Sequence, residues 1–251
     1  MNLRKAKYVF FRIKKTLKRA YQRAQGKEFI HFLHIGKTGG SAIKHALKQP
    51  MNSNQAIWCH GHKIRLKDIP EGDRFFFFLR DPVSRFVSGF YSRKRQEMPR
   101  YFVPWDRDEK LAFERFSTPN QLAMALSSQE PKVQQQAKHA MNNIGHIMAS
   151  YWFWLHNEEY FKSRSSDLLY VGFQENLVRD FDRIKSITGW PDHIRLPDHE
   201  FDTHKTPDSF DKHLEDKAIT NLKSWYKKDF ELIELCKSMF PNREELGKSS
   251  A

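Results

Sequence analysis

The chain has 251 residues, 39% hydrophobic and 14% aromatic, enough to bury one sizeable core and better matched to one α/β domain than to two. Its two cysteines exclude a disulfide-built small fold and read as free thiols, while a formal charge of +13 calls for an anionic partner such as nucleic acid, an acidic glycan, a phosphorylated cofactor or an anionic membrane surface. Ten bases and no acid between Met1 and Lys27 leave 33 bases against 30 acids in the remainder, so the excess charge belongs to an amino-terminal arm.

Within that arm, residues 1–27, Phe10, Ile13, Leu17, Tyr21 and Ala24 recur at helical spacing among lysines and arginines, which predicts a basic amphipathic helix over Leu3–Gln25. Such a helix suits an anionic membrane surface, or equally the flank of its own domain. The apolar stretch Tyr8-Val9-Phe10-Phe11 is far below the ~20 residues of a membrane span, and neither a signal peptide nor a transmembrane anchor is expected.

From residue 28 to 247 the pattern is that of one domain. Phe29–Ile35 is an apolar run ending at Gly36, as a buried strand would. A helix follows Gly40, with Ala42, Ile43, Ala46 and Leu47 on one face and Pro50 as its stop. Gln55–Cys59 and Arg74–Leu79 are the next strand candidates, the latter a run of four phenylalanines too apolar to face water on either side. Asp81-Pro82 then reads as the cap and first residue of a helix. Ser92–Gln136, polar and interrupted by prolines, is expected to form loops and short helices as an acceptor-side insert. Tyr151–Leu155 reads as core helix, Leu168–Phe173 as a fourth strand, and Leu177, Val178, Phe181, Ile184 and Ile187 as a helix closed by Gly189. A loop rich in Pro, Asp and His over Trp190–Phe210 leads to closing helical segments around Ile219, Leu222, Tyr226, Phe230 and Ile233. Alternating strands and helices predict a three-layer α/β domain with a central parallel sheet, its ligands beyond the carboxyl ends of the strands.

Strand, then Gly36-Lys37-Thr38-Gly39-Gly40-Ser41, then helix is an anion-binding arrangement, because glycines let successive N–H groups face one concavity and Lys37 adds a full charge. It is not a Walker A loop: the glycine required five positions before Gly36 is His31. Arg80 ends the phenylalanine strand and Ser88 lies eight residues on, two turns along the next helix, so both can approach a second phosphate.

With these two elements in order the sequence resembles the sulfotransferases that use 3′-phosphoadenosine-5′-phosphosulfate (PAPS). The similarity is to their carbohydrate group, such as the heparan sulfate 2-O- and 6-O-sulfotransferases, in a bacterial-type form. It rests on His34–Ser41, on Arg80–Tyr91, on Val171–Leu177 and on Trp225–Phe230, and departs from the family at Gly36, where proline is more frequent. The resemblance implies the P-loop NTPase-like sulfotransferase fold, with Lys37, Thr38, Gly39, Gly40 and Ser41 around the 5′-phosphosulfate and Arg80 and Ser88 on the 3′-phosphate. It implies 3′-phosphoadenosine 5′-phosphate (PAP) as the product and no metal. It also implies that His60 or His62 of His60-Gly61-His62 is the general base, with Lys37 assisting the leaving group.

The implied partner is a saccharide or other hydroxyl acceptor, with no nucleic acid. The expected location is cytoplasmic, with the arm as a peripheral membrane contact. Two alternative functions stand beside this one: a P-loop kinase-like phosphotransferase, and a non-enzymatic nucleic-acid- or membrane-binding protein driven by the arm. Lys205 and Thr206 read as an exposed turn, Arg93-Lys94-Arg95 as a solvated charge run at a helix end, and Trp152 and Trp154 as core.

Overall fold

The computed structural model describes residues 16–51, 54–99, 101–197 and 210–239. Residues 16–24 are helical (α1), followed by β1 (Glu28–Phe32), α2 (Gly40–Ala46), β2 (Gln55–Cys59), a 3₁₀ turn at Leu66–Asp68 and β3 (Arg74–Leu79). Then come α3 (Pro82–Lys94), α4 (Arg107–Arg115), α5 (Pro119–Ala125), α6 (Pro131–Asn143), α7 (Trp152–Leu155) and α8 (Glu158–Ser163). The chain closes with β4 (Leu168–Phe173), α9 (Leu177–Thr188), α10 (Asp216–Trp225) and α11 (Lys227–Ser238).

Four strands pair in the order β2-β1-β3-β4, all parallel. Side chains alternate between the two faces of a strand, and β3 uses both faces for packing. Phe75, Phe77 and Leu79 join Leu33 and Ile35 against Trp154 and Leu155 of α7, Phe161 of α8 and Leu232 and Ile233 of α11. Phe76 and Phe78 join Ile30 and Phe32 against Ile43 and Ala46 of α2 and Phe181 and Ile184 of α9. Helices therefore cover both faces, which is why the phenylalanine run shows no polar alternation. The three-layer parallel α/β domain expected from the sequence is the fold observed. A second core beside the sheet is built by α3, α4, α5, α6 and α10, so the proline-interrupted insert is mostly short helices. Proline stands in the first turn of α3, α5 and α6, where no backbone donor is lost.

The described part of the basic arm packs on the domain. Arg19 and Arg23 form ion pairs with Asp73, the latter at 2.6 Å. The Arg23 guanidinium also lies 4.6 Å from the centre of the Phe29 ring, and Trp58 Nε1 donates to Gln22 Oε1 at 3.2 Å. Two arginines of the expected membrane-facing helix thus have a partner in the turn that precedes β3. Phe10 and Ile13 of the arm, and Lys205 and Thr206 of the late loop, lie outside the described residues. Among the described residues no helix is long and apolar enough to cross a membrane.

The sheet's tightest tolerance is at Gly172 of β4, where an added Cβ would stand 2.2 Å from Cε1 of Phe78 on β3. Gly172→Ala is expected to cost about 1–3 kcal/mol by overpacking and to lower the melting temperature by roughly 5 °C. Gly61→Ala, where a Cβ meets nothing within 4 Å, is expected to change it by about 1 °C at most. Thermal denaturation of the two variants checks this.

Candidate active site

β1 has β2 on one side and β3 on the other, so the strand order reverses there, and the crevice beyond its carboxyl end is where an open α/β sheet receives ligands. Four chain segments leave the sheet at this edge: residues 33–39 from β1, His60–His62 from β2, Arg80 from β3 and Gln174–Asn176 from β4. All the residues singled out in the sequence for binding or chemistry lie on these segments or on the helices that begin them, α2 and α3.

The β1–α2 loop is held in shape from within. Gly39 has φ 82°, a left-handed conformation that side chains disfavour, and a Cβ on Gly40 would stand 2.1 Å from the His34 ring. The Thr38 hydroxyl donates to the Ile35 carbonyl at 3.0 Å, so Thr38 closes the turn with its side chain. Ser41 follows in the first turn of α2 and is half-buried. Because α2 has only seven residues, the positive potential of this loop comes chiefly from side chains.

Lys37 adopts φ 67° and is half-buried at the centre of that potential. Burial is the main cause that draws its pKa down to about 8, with Arg95, Arg80 and Arg85 reinforcing the shift and Glu97 opposing it. Arg80 is tied to the structure on both sides. Its amide and carbonyl both bond the Tyr151 hydroxyl, at 3.2 and 2.6 Å, and its Nε donates to Ser84 Oγ at 2.9 Å. Ser84 and the buried Ser88 are four residues apart on α3 and share a face, so Arg80 leans along the side of the helix that presents Ser88. Asp81 caps α3 by accepting from the Ser84 amide at 2.7 Å, which fixes where that face begins.

Arg85 is 1% exposed, and a guanidinium so buried ordinarily requires a carboxylate. Instead its Nε donates to the Gly36 carbonyl at 3.1 Å, and its charge lies 4.9 Å from the Tyr151 ring centre and 5.4 Å from that of Trp154. Arg85 Nη2 is buried without a hydrogen-bond partner among the described residues. A full positive charge is thereby fixed behind the loop, supported by ring faces.

The two expected histidines part company. His60 is buried, its Nε2 2.7 Å from His31 Nδ1, and His31 Nε2 is 3.0 Å from Asp73. This chain of groups continues through Asp73 to Arg19 and Arg23 of α1. His62 stands over the loop, its Nδ1 3.8 Å from the position a Cβ on Gly36 would take. Partial desolvation of its ring is the main cause that lowers the His62 pKa, and His146 and Lys44 add to it, although the residue as a whole is exposed.

Beside it is a third imidazole that sequence reasoning passed over. His146 Nδ1 lies 3.6 Å from the same Gly36 position, and His146 Nε2 is 2.8 Å from Glu97 Oε1. Burial lowers the His146 pKa, with Lys37 and Arg85 adding to that and Glu97 opposing it. For Glu97, burial works to raise the pKa but is outweighed by the hydrogen bonds from His146 and Ser92 and by the Lys37 charge, so it stays well below the usual carboxylate range.

The segment carrying His146 is clamped along its length. Glu109 of α4 accepts the Gly145 amide at 3.0 Å, Tyr226 donates to the Ile147 carbonyl at 2.8 Å, and Asp229 of α11 accepts from the Ser150 hydroxyl and from the Tyr151 amide at 3.0 Å. The Trp225–Phe230 stretch thus acts as a buttress for residues 147–151. Arg93 differs from the solvated charge expected of it. It is 6% exposed, with Nε 2.6 Å from Glu109 Oε1 and its Nη2 paired to the other oxygen, so it joins α3 to the insert. The aromatic expectation holds for Trp154, which is core at 4% exposed.

Arg85 is visible in the Arg80–Tyr91 motif as a second arginine five residues on, but nothing local in the sequence marks it as buried behind the loop. Glu97 and His146, 49 positions apart, carry no local sequence signal of their pairing. Among the described residues no group of His, Cys, Asp and Glu is arranged to hold a metal ion.

The description "Sulfotransferase family" matches residues 22–234 of the chain. A search of curated proteins finds no significant match. The family match begins inside α1 and ends inside α11, taking in every loop at the carboxyl edge of the sheet, and the chain accordingly belongs to the sulfotransferase family, whose reaction is sulfuryl transfer.

Proposed function

We propose that the protein transfers the sulfuryl group of PAPS to a hydroxyl of a carbohydrate acceptor. The observation that carries this reading is the convergence of Lys37, Arg80 and Arg85 on the β1–α2 loop, with imidazoles on the far side of Gly36. The residues fit the donor on two counts: the buried Arg85 Nη2 has no hydrogen-bond partner among the described residues, and three guanidiniums bear on a half-buried lysine, with Glu97 opposing them. Both describe a pocket built for several negative charges.

PAPS supplies a sulfuryl group whose bond to the 5′-phosphate oxygen breaks, with the electron pair leaving on that oxygen, as the acceptor oxygen bonds to sulfur. Lys37 and the backbone N–H groups of Thr38, Gly39, Gly40 and Ser41 would hold the 5′ end and stabilise the charge that grows there, an effect worth roughly 10²–10³-fold for one donor. Arg80, bonded to Ser84, and Ser88, one turn further along the same helix, would hold the 3′-phosphate and select against nucleotides that lack it. The acceptor proton passes to an imidazole nitrogen above Gly36, where His62 and His146 both stand. His60, bonded to His31, which in turn meets Asp73, fits a supporting role that fixes the β2 loop.

Exposed Tyr101 and Phe102, 49% and 62% accessible on the segment between α3 and α4, support residues 92–136 as the acceptor side, since aromatic faces suit sugar rings. The arm, residues 1–27, would keep its remaining bases for an anionic surface.

Transfer of labelled sulfate from PAPS to a panel of glycans tests the reading. Wild type is expected to label at least one glycan and Lys37→Ala to do so roughly 10²-fold more slowly. Absence of labelling across glycan, phenol and small-alcohol acceptors would overturn it. The Lys37 pKa gives two further expectations. A lysine whose folded pKa of about 8 lies below its unfolded 10.5 weakens the fold while charged, a cost fully present below about 8 and gone above 10.5. Lys37→Ala should therefore melt no lower than wild type at neutral pH. PAP affinity should fall as pH rises through about 8 and Lys37 loses its charge, and the Lys37→Ala variant should lack that fall; calorimetry across this range checks it.

A further inference from the structure

We propose that His146, oriented by Glu97, is the group that takes the acceptor proton, with His62 lining the acceptor's approach. This rests on the sulfotransferase reading of the site above and deepens it.

A carboxylate can only accept a hydrogen bond, so at 2.8 Å from Glu97 Oε1 the His146 Nε2 carries the hydrogen, and in the neutral ring Nδ1 is left as a lone pair. That Nδ1 is the atom nearest Gly36 from this side of the loop, 3.6 Å from its Cβ position. The carboxylate is itself fixed: Glu97 is 7% exposed, its other oxygen accepts from Ser92 Oγ at 2.7 Å, and Arg93 stands 3.5 Å from Oε1. Orienter, ring and loop are thus in series, with the Gly145 and Ile147 anchors on either side of the ring.

His62 is as near to the loop, but differs in what happens after the proton arrives. An imidazolium at His146 has the Glu97 carboxylate in contact, the arrangement by which a buried acid stabilises a catalytic histidine's charged form. An imidazolium at His62 is favoured by a hydrogen bond with the His34 backbone but opposed by His146, Lys44 and Lys37, all of them bases. In the proposed step the O–H bond of the acceptor breaks, its electron pair stays on oxygen for the new bond to sulfur, the proton goes to His146 Nδ1, and Nε2–H remains donated to Glu97. The groups facing His146 are Glu97 with Arg93 behind it, Lys37 of the loop, Arg85 of α3 and His62.

The first test needs no turnover. Nitrogen-15 NMR of the histidine side chains in the full-length protein at neutral pH is expected to find His146 as the single Nε2–H tautomer, and Glu97→Gln to lower its pKa. A predominant Nδ1–H tautomer overturns the proposal. In kinetics, His146→Gln keeps a donor toward Glu97 but offers no basic nitrogen. It is expected to lower kcat by roughly 10²–10⁴-fold, and by more than His62→Gln does, while changing PAP affinity by less than about threefold. Glu97→Gln should move the acid limb of the kcat profile to lower pH, because removing the carboxylate makes the imidazolium a stronger acid. A larger loss in His62→Gln than in His146→Gln, or an unmoved acid limb in Glu97→Gln, contradicts it. PAP binding by wild type separates the two levels: if PAP does not bind, the sulfotransferase reading fails first, whereas normal PAP binding with a mobile or wrongly protonated His146 defeats only this inference.

Discussion

A positive charge sealed behind a loop is the constraint around which this molecule is arranged. Arg85 is almost wholly buried and bonds the Gly36 carbonyl, and its charge is supported by the faces of Tyr151 and Trp154. Those rings must then be held. Tyr151 is fixed at both ends, its hydroxyl by Arg80 and its amide by Asp229, and Trp154 Nε1 donates to the His62 carbonyl at 2.8 Å. One buried guanidinium thus links the β1 loop, the β2 loop, the start of α3 and α7. A charge kept from water at such cost makes physical sense where a stronger anion is to be met in front of the loop.

The two cores have different tasks. The sheet and its covering helices set the carboxyl edges of β1, β2 and β3 side by side, which fixes where a nucleotide-like ligand can lie. The second core, from α3 to α6 with α10, carries Glu97 and Glu109 to the segment 145–147, and α11 with the end of α10 fixes its other end. Binding geometry comes from the parallel sheet, and the imidazole environment from the helical insert packed beside it. The two are joined at Glu97, which bears on both the Lys37 charge and the His146 ring.

What was legible in the sequence is what local physics writes there. The β2, β3 and β4 spans agree with the apolar runs, and the Asp81 cap with Pro82 marks the start of α3. β1 ends at Phe32, three residues before its apolar run does; the Leu33 amide still donates to the Phe76 carbonyl at 3.0 Å, and Leu33 and Ile35 stay apolar because they are buried with α7. Hidden from the sequence were polar pairs between distant segments, which leave no periodicity: Glu97 with His146, His60 with His31 and Asp73, and Arg19 and Arg23 with Asp73. Arg93 shows the same limit from the other side. As part of an Arg-Lys-Arg run it reads as solvated, and only the fold brings Glu109 to it.

The central claim is that the cations around Gly36 grip a nucleotide carrying both a 5′- and a 3′-phosphate. Calorimetric titration with PAP, with adenosine 5′-monophosphate and with ATP, each with and without magnesium, tests it directly. Tight binding of PAP that is indifferent to magnesium, weakened by roughly tenfold or more when the 3′-phosphate is missing, is the predicted result. Magnesium-dependent binding of ATP without binding of PAP would contradict it.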